Sequence, residues 1–384
     1  MWRKRVAAAL VLLAVAGCSG GNGDDDQSTA TRRDATTTTT SPPTTHRLDD
    51  SLRLHQTQVL GTHNSYRSAL HPTVLEAIRS VDPAAALGLE YEHRPLTEQF
   101  DDLGIRQVEL DVYADPQGGK FADPAVPASL GVADPADPRM SEPGFKVIHQ
   151  ADIDTRTTCP TLVVCLQEID DWSRAHPAHV PIMVLIEMKD ATVDAATFDA
   201  LDAEIRTVFE PERLVTPDDV RGDHETLGEA VRADGWPVLG AVRGKVVFAL
   251  DNAGLRDVYR SGHPSLEGRV LFTASAPGEP DAAFAKLNNP IDDAAAIAAA
   301  VDANMLVRTR ADADTIQARA NDTTMRDAAL ASGAHFISTD YAEPDPDFSP
   351  YRVVIPGGTP GRCNPVTAPR DCSPTDVEDP ELMG

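Results

Sequence analysis

Six polar residues at the ends of apolar segments could form a catalytic centre in this chain. They are two histidines, one asparagine and three carboxylic acids: His63, Asn64, Glu109, Asp111, His149 and Glu187. Amide and carboxylate oxygens are the hard ligands that Ca²⁺ prefers and that Mg²⁺ also accepts. Histidine side chains can move protons near neutral pH. The combination indicates phosphoryl transfer assisted by a Ca²⁺ or a Mg²⁺ ion.

Apolar segments rich in Val, Ile and Leu recur from residue 55 onward, and they predict the strands that must position these residues. Several segments are continuous rather than alternating, which is typical of strands buried on both faces of a parallel sheet. Eight such strands predict an α/β fold of the (β/α)₈ TIM-barrel type, a single catalytic domain over residues 47–355. The predicted strands are 57–61, 107–112, 146–149, 182–187, 245–250, 270–273, 305–308 and 335–338.

A barrel would gather the six polar residues at one rim, because the carboxyl ends of its strands meet there. Side chains two apart on a strand point the same way, so Glu109 and Asp111 can face one ion. Any one of these residues alone is more often an ordinary hydrogen-bonding or solvated group. Ionised acids in apolar strands are costly unless paired or metal-bound, so their occurrence on successive strand ends favours a site.

The segments between the predicted strands are less uniform. Residues 160–174 and 195–208 have apolar residues at helical spacing, and residues 311–331 predict a helix pair. Residues 114–144 are instead rich in Pro, Gly and Asp, which predicts a long loop at the exit of the second strand. Long loops at that end of a barrel commonly shape the active site.

Residues 1–17 have the pattern of an export signal: a basic start and then an apolar stretch too short to span a bilayer. The closing Val-Ala-Gly-Cys resembles the bacterial lipobox, which implies lipidation of Cys18, although a plain secretory signal with a chance cysteine would look similar. Residues 18–46, rich in Thr, Pro and Gly, predict a tether. No later stretch approaches the ~20 apolar residues of a spanning helix. The predicted location is therefore extracytoplasmic, as a lipoprotein anchored to the bacterial cell membrane.

Four cysteines remain after Cys18, and they form two close pairs in the sequence. In an exported protein this spacing predicts two local disulfides, although four cysteines allow three pairings. The predicted bridges are Cys159 to Cys165 and Cys363 to Cys372, the second within a Pro-rich tail over residues 356–384. A zinc site is the competing interpretation, but no further His or Cys lies at finger spacing around either pair.

The chain is strongly acidic, with a formal net charge of −26. Cleavage before Cys18 removes three basic residues and no acid, which leaves −29. Such a surface repels nucleic acid and, over most of its area, anionic bilayers. We therefore expect no nucleic-acid partner, a monomeric protein, and contact with anionic lipid only at a local part of the surface.

The polar motifs, taken in order, resemble a known family. GTHNSY at 61–66, VELDV at 108–112, VIH at 147–149 and LIE at 185–187 look like the barrel of phosphatidylinositol-specific phospholipase C, in its Ca²⁺-dependent bacterial branch. The resemblance covers roughly residues 53–351. The metal-independent branch carries an Arg on the second strand, where this chain has acids. The resemblance implies His63 and His149 as the catalytic pair, and as Ca²⁺ ligands Asn64, Glu109, Asp111 and Glu187. It makes Ca²⁺ the expected cofactor and Mg²⁺ the less favoured one.

Later strand ends also match this branch in residue type, with Arg308 and Arg310 on the seventh strand and STDY at 338–341 after the eighth. They suggest that Tyr341 stacks on the inositol ring and that Arg308 holds a phosphate. Lys189, two residues after Glu187, could contact phosphate or could be an ordinary surface lysine.

The resemblance implies cleavage of phosphatidylinositol-like lipids by attack of the inositol 2-hydroxyl on phosphorus. The products would be diacylglycerol and inositol 1,2-cyclic phosphate. His63 would assist removal of the hydroxyl proton and His149 would protonate the leaving oxygen, although a metal-binding carboxylate could be the base instead.

Two other functions remain open from sequence. A glycerophosphodiester phosphodiesterase shares the barrel and the Glu-x-Asp pair, and Glu187-Met188-Lys189 fits that family, but its usual His-Arg-Gly is replaced here by His63-Asn64-Ser65. A catalytically inactive, surface-binding lipoprotein is the third candidate, which the presence of both histidines and all the candidate ligands disfavours.

Overall fold

The computed structural model describes residues 45–383. The predicted signal at 1–17, the lipidation site Cys18 and the predicted tether up to residue 44 lie outside the described residues. Within residues 45–383, no helix has the length and apolar character needed to cross a lipid bilayer.

In residues 45–383 the chain forms eleven strands. Numbered along the sequence, they are β1 Thr57–Thr62, β2 Ile105–Tyr113, β3 Lys146–Val147, β4 Ile182–Met188, β5 Leu214–Val215, β6 Val246–Leu250, β7 Leu271–Thr273, β8 Phe284–Lys286, β9 Leu306–Arg310, β10 Phe336–Thr339 and β11 Gly361–Cys363.

Eight of these strands run parallel around a barrel wall, in the order β1, β2, β4, β6, β7, β8, β9, β10 and back to β1. The join between β7 and β8 is a single bridge from Ala274 to Phe284. The central strands are buried on both faces, which explains why they read as continuous apolar segments. The predicted α/β barrel is confirmed.

Helices fill most connections between the wall strands. They are α1 Pro72–Val81, α2 Pro83–Gly88, α3 Leu96–Asp102, α4 Ala125–Ser129, α5 Leu162–Ala175, α6 Ala195–Val208, α7 Pro217–Arg221, α8 Leu227–Asp234, α9 Leu239–Val242, α10 Arg256–Tyr259, α11 Ala294–Asp302, α12 Ile316–Ala320, α13 Thr324–Ala331 and α14 Pro374–Val377. Short 3₁₀ turns occupy Leu54–Gln56, Pro138–Ser141, Pro211–Arg213, Ala253–Leu255 and Pro380–Leu382. The predicted helices near 160–174 and 195–208 and the predicted helix pair are confirmed.

The sequence predicts the correct number of eight wall strands, but it includes one segment that is not a wall strand and omits one that is. The segment 146–149 is not a wall strand: only β3 is extended, and it pairs antiparallel with the end of β2. The connection 114–145 contains only the short α4 and a 3₁₀ turn and does not cross back along the barrel, so the chain can re-enter only antiparallel. The missed wall strand is β8, whose three residues are too few to give a sequence signal.

The C-terminal segment packs against the end of the barrel where the strands begin. Strand β11 pairs antiparallel with the first half of β1, below the point at which β2 begins to pair with it. Both predicted disulfides, Cys159 to Cys165 and Cys363 to Cys372, are present. Beyond them, the carboxylate of Glu378 forms a buried ion pair with Arg106 at the start of β2.

Candidate active site and metal centre

Three carboxylates meet at the carboxyl end of the barrel strands. Glu109 and Asp111 lie on β2, and Glu187 lies beside Asp111 on the neighbouring β4. One oxygen from each of the three lies within 4.8 Å of the others. The sequence therefore predicted correctly that these acids gather at one place.

Lys189 contacts two of these three carboxylates. Its Nζ lies 3.2 Å from Asp111 Oδ2 and 3.3 Å from Glu187 Oε1. Burial alone would lower the pKa of Lys189, but the two carboxylates raise it above its usual value. One ammonium group thus partly offsets a cluster that remains rich in negative charge.

Burial and mutual repulsion disfavour the ionised forms of Asp111 and Glu187. Burial raises the pKa of the Asp111 carboxyl well above its usual range, and the neighbouring Glu187 raises it further. Burial likewise raises the pKa of Glu187 despite the nearby Lys189, with Asp251 and Glu109 adding to the rise. A bound divalent cation would reverse both effects, because opposite charge favours the ionised form.

Asn64 lies next to the end of β2, because the backbone N of the following Ser65 donates to the carbonyl of Glu109 at 2.9 Å. It has a left-handed backbone, with φ of 48°, and its side-chain Nδ2 donates to Tyr91 Oη at 2.8 Å. Asn64 Oδ1 is buried without a hydrogen-bond partner, and Asp111 Oδ1 is in the same condition. The other oxygen of Asp111, Oδ2, has only the ammonium group of Lys189, at 3.2 Å. Buried acceptors without donors are costly, so an amide oxygen and three carboxylates arranged in this way fit Ca²⁺.

Glu109 is held differently from the other two acids. Its Oε2 accepts a hydrogen bond of 2.5 Å from Arg308, and its backbone N donates to Ser65 Oγ at 2.8 Å. Burial would raise the pKa of Glu109, but Arg308 and then His63 outweigh burial and lower it. Glu109 is consequently ionised and fixed in orientation.

His63 is oriented by an acidic partner. Its Nδ1 lies 2.8 Å from Asp340 Oδ1, so the Nδ1 proton is donated to the carboxylate. Its Nε2 then faces the carboxylate cluster, 3.9 Å from Glu109 Oε1. Arg310 Nη2 donates to the second oxygen of Asp340 at 2.7 Å. Burial would raise the pKa of Asp340, but Arg310 and His63 lower it, so this carboxylate stays charged.

His149 lies in the turn that follows β3, which carries it over the end of β2. The backbone N of Ile148 donates to the carbonyl of Asp111, and that of His149 donates to Asp154 Oδ2 at 3.1 Å. Burial, and to a smaller extent Arg67 and Lys189, lower the pKa of His149 to about 3. An anionic phosphodiester beside the ring would have the opposite effect.

Two further substrate-contact candidates, Arg308 and Tyr341, are buried in the structure. Arg308 is buried, and its guanidinium donates to Glu109, Asn288 and Ser338. The ring of Tyr341 is buried against Phe348 and Tyr351. These contacts suit Arg308 to orienting Glu109 and Tyr341 to packing, rather than to holding phosphate or stacking on inositol.

Several site residues were missed from sequence. Asp340 and Arg310 were noticed only as residue types at strand ends, and nothing in the sequence paired them with His63. Lys286 ends the missed strand β8, and its Nζ lies 2.5 Å from Asp251 Oδ1. Lys286 lowers the pKa of Glu109 and Asp251 raises that of Glu187, so this pair borders the cluster.

Comparison with known proteins agrees with this geometry. A family model described as Phosphoinositide phospholipase C, Ca²⁺-dependent, matches residues 52–365. The fold is similar to a calcium-dependent phosphoinositol-specific phospholipase C from a Gram-negative Pseudomonas species, with a TM-score of 0.53 and 16% identity over 84% of this chain and 99% of that chain.

It is also similar to the Ca²⁺-dependent phosphatidylinositol-specific phospholipase C of Streptomyces antibioticus, with a TM-score of 0.50 and 20% identity over 76% of this chain and 96% of that chain. At such identities the structural likeness shows the fold alone. A search of curated protein sequences gave no significant match.

Proposed function

The chain belongs to the family of Ca²⁺-dependent phosphoinositide phospholipases C, and from that premise we propose the role of each residue in its site. The protein is accordingly a phosphoric diester hydrolase with Ca²⁺ as its cofactor. The proposed substrate is a phosphatidylinositol-like lipid, cleaved to diacylglycerol and an inositol cyclic phosphate.

The Ca²⁺ ligands in this proposal are Asn64, Glu109, Asp111 and Glu187. The observation that carries it is the combination of three carboxylates within 4.8 Å of one another and buried acceptors on Asn64 and Asp111 that have no donor. Bound there, Ca²⁺ would lower the pKa of the inositol 2-hydroxyl and offset the negative charge that develops on phosphorus. Arg308 keeps Glu109 ionised and aimed at the cluster.

His63 and His149 move the protons in this proposal. His63 Nε2 accepts the proton of the 2-hydroxyl, because Asp340 holds the Nδ1 proton and stabilises the imidazolium that results. His149 donates a proton to the leaving oxygen of diacylglycerol. Its pKa of about 3 in the ligand-free site must rise when the phosphodiester binds, and the substrate's own negative charge favours that rise.

Lys189 and Lys286 are the proposed phosphate and inositol contacts. The ammonium group of Lys189 contacts Asp111, and that of Lys286 contacts Asp251 at the border of the cluster. Both side chains are partly exposed. We prefer these two lysines as substrate contacts to Arg308 and Tyr341, whose side chains are buried and contact other residues of the protein.

The proposed location of the protein rests on its cysteines, which lie outside the active site. The two disulfides fit an oxidising, extracytoplasmic compartment. Lipid at Cys18 would provide the membrane anchor, and the protein would act as a monomer. Replacement of Cys18 by Ser should release the protein from the membrane fraction or leave it unprocessed, and unchanged fractionation and processing would remove the anchor from the proposal.

The reaction is tested by its products. The purified protein is incubated with phosphatidylinositol and with glycerophosphoinositol, each with Ca²⁺ and with chelator, and the phosphorus products are identified by NMR. A cyclic inositol phosphate formed only with Ca²⁺ supports the proposal. Glycerol 3-phosphate would instead indicate a glycerophosphodiester phosphodiesterase, and no product would indicate an inactive protein.

A further inference from the structure

The two histidines of the proposed reaction are held in different ways. Nδ1 of His63 is paired with Asp340, whereas Nδ1 of His149 is buried without a hydrogen-bond partner within residues 45–383. A general acid acts only from the correct position beside the leaving oxygen, so the ring of His149 must be held in some other way. Its position therefore depends on the backbone that carries it.

Three hydrogen bonds fix the backbone around His149. Its backbone N and that of Gln150 donate to Oδ2 of the buried Asp154, at 3.1 Å and 2.8 Å. Its carbonyl accepts a hydrogen bond of 3.3 Å from the hydroxyl of Tyr113, which ends β2 two residues after Asp111. These contacts tie the turn that carries His149 to the strand that carries two of the proposed metal ligands.

A small apolar cluster, separate from the core of the barrel, packs at the same turn. Its buried members are Phe121, Met140 and Ile148. Ile148 is the residue directly before His149. The ring of Phe121 also lies 5.0 Å from that of Tyr113, measured between the ring centres. Phe121 thus belongs to the cluster that holds the neighbour of His149, and it packs against the tyrosine that binds the His149 carbonyl.

The connection over residues 114–145, which supplies Phe121, is closed at its base. The backbone N of Gly144 donates to the carbonyl of Asp115 at 2.9 Å. The buried Nζ of Lys146 lies 3.3 Å from Oδ2 of Asp115. A long loop whose ends are tied together and whose own side chains pack inside it is typical of a functional segment.

We propose that Phe121 is a positioning residue for the reaction, because its cluster keeps His149 beside the leaving oxygen. The inference rests on the proposed function, in which His149 is the general acid. Phe121 touches no reacting atom in this role. It acts through Ile148 and Tyr113, so its loss should affect only the step that needs a proton at the leaving oxygen.

The test compares two leaving groups in the full chain with Ca²⁺. Phosphatidylinositol dispersed in detergent releases an alkoxide that must be protonated, whereas an aryl inositol phosphodiester releases a phenolate that need not be. Phe121→Ala opens the cluster, and Phe121→Leu keeps it apolar. Tyr113→Phe removes only the hydroxyl that binds the His149 carbonyl. The control is Leu130→Ala, which lies in the same connection but has an exposed side chain.

We expect Phe121→Ala to lower kcat on phosphatidylinositol by roughly tenfold and to leave kcat on the aryl substrate and both KM values nearly unchanged. Tyr113→Phe, which keeps the ring and so should fold, should show a smaller loss with the same selectivity. Phe121→Leu should restore most of the rate, and Leu130→Ala should match the wild type. Equal losses on the two substrates, or no loss on phosphatidylinositol in either variant, would overturn the proposal.

Imidazole NMR resonances separate this inference from the proposed function. The resonance of His149, assigned with His149→Ala, should shift in ligand-free Phe121→Ala and Tyr113→Phe, while that of His63 stays in place. A wild-type protein that cleaves neither substrate would refute the proposed function, and a shifted His149 resonance would still support the positioning of His149 by Phe121. A His149 resonance that stays in place in both variants would refute that positioning.

Discussion

The two ends of the barrel bury carboxylates in opposite ways. At the end where the strands begin, Arg106 Nε lies 3.0 Å from each oxygen of Glu378, and the backbone N of Val180 donates to Glu378 at 2.9 Å. Burial would raise the pKa of Glu378, but Arg106 outweighs burial and lowers it. At the other end, Asp111 Oδ1 lacks a hydrogen-bond donor and Oδ2 has only Lys189 Nζ at 3.2 Å, and the pKa of Asp111 is raised.

The difference separates a structural role from a functional one. A buried carboxylate that is fully paired holds two parts of the chain together, here β2 and the C-terminal segment. One that is buried among other acids with too few donors weakens the ligand-free protein and is typical of a site awaiting a ligand. A cavity of about 450 Å³ lies beside Arg106, Trp172 and Glu378, where Arg106 and Glu378 bind each other and Trp172 Nε1 donates to Asp101 Oδ1 at 2.6 Å.

The sharpest test of this contrast is Asp111→Asn. We expect turnover to fall by roughly 10³-fold, because a Ca²⁺ ligand is replaced by a weaker one at the centre of charge stabilisation. The melting temperature in chelator should be unchanged or higher, since a buried negative charge has been removed. Initial rates and calorimetry measure the two effects, and full wild-type activity in excess chelator would contradict the metal assignment.

Glu378→Gln should give the reverse result at the opposite end. Removing one member of a buried ion pair leaves Arg106 uncompensated, and we expect the free energy of unfolding to fall by about 3 kcal/mol. Turnover per folded molecule should not change. Urea denaturation measures the loss, with the exposed Glu381→Gln as control. A loss no larger than that of the control would show that the pair does not stabilise the fold.

The two histidines can be told apart by the leaving group. His63→Ala and His149→Ala should each lower kcat by at least ~10², the usual effect of removing a general base or acid. A substrate with an aryl leaving group needs no protonation, so it should restore most of the rate to His149→Ala and little to His63→Ala. Near-normal turnover of His149→Ala on the natural lipid would move the acid role to another residue.

The smallest expected effect is a pH dependence of stability without metal. The raised pKa values of Asp111 and Glu187 mean that their contribution to stability is fully present below their unfolded pKa values, about 4. That contribution is lost as pH rises through the raised values. Melting temperatures in chelator should therefore show a decline with rising pH that Asp111→Asn reduces and Ca²⁺ abolishes. Identical profiles of melting temperature against pH for wild type and variant would argue against a raised pKa of Asp111.

The acids at the site could be predicted from sequence, whereas their partners could not. Glu109, Asp111 and Glu187 stand out because each interrupts an apolar strand, and strand geometry then brings them together. Asp340 meets His63 across 277 residues of sequence, and a local pattern does not encode such a contact. Tyr341 is at the expected strand end, but the side on which its ring packs depends on Phe348 and Tyr351 in the following loop.

The fold, like the site, was predictable where a local sequence pattern encodes it and not where distant parts of the chain decide it. Long buried strands such as β2 and β4 give unmistakable apolar segments, whereas β8 has three residues and leaves no signal. The residues of 146–149 resemble a strand locally, and only the path of the preceding loop decides that β3 is antiparallel.

The pairing of β1 also has a consequence for when this protein can fold during synthesis. Strand β1 pairs with β10, the last wall strand, so the barrel wall cannot close until residues near 340 have left the ribosome. The pair of Arg106 and Glu378, 272 residues apart, forms later still. Folds dominated by such distant contacts form slowly. The first and the last wall strand of this barrel can therefore meet only after most of the chain has been made.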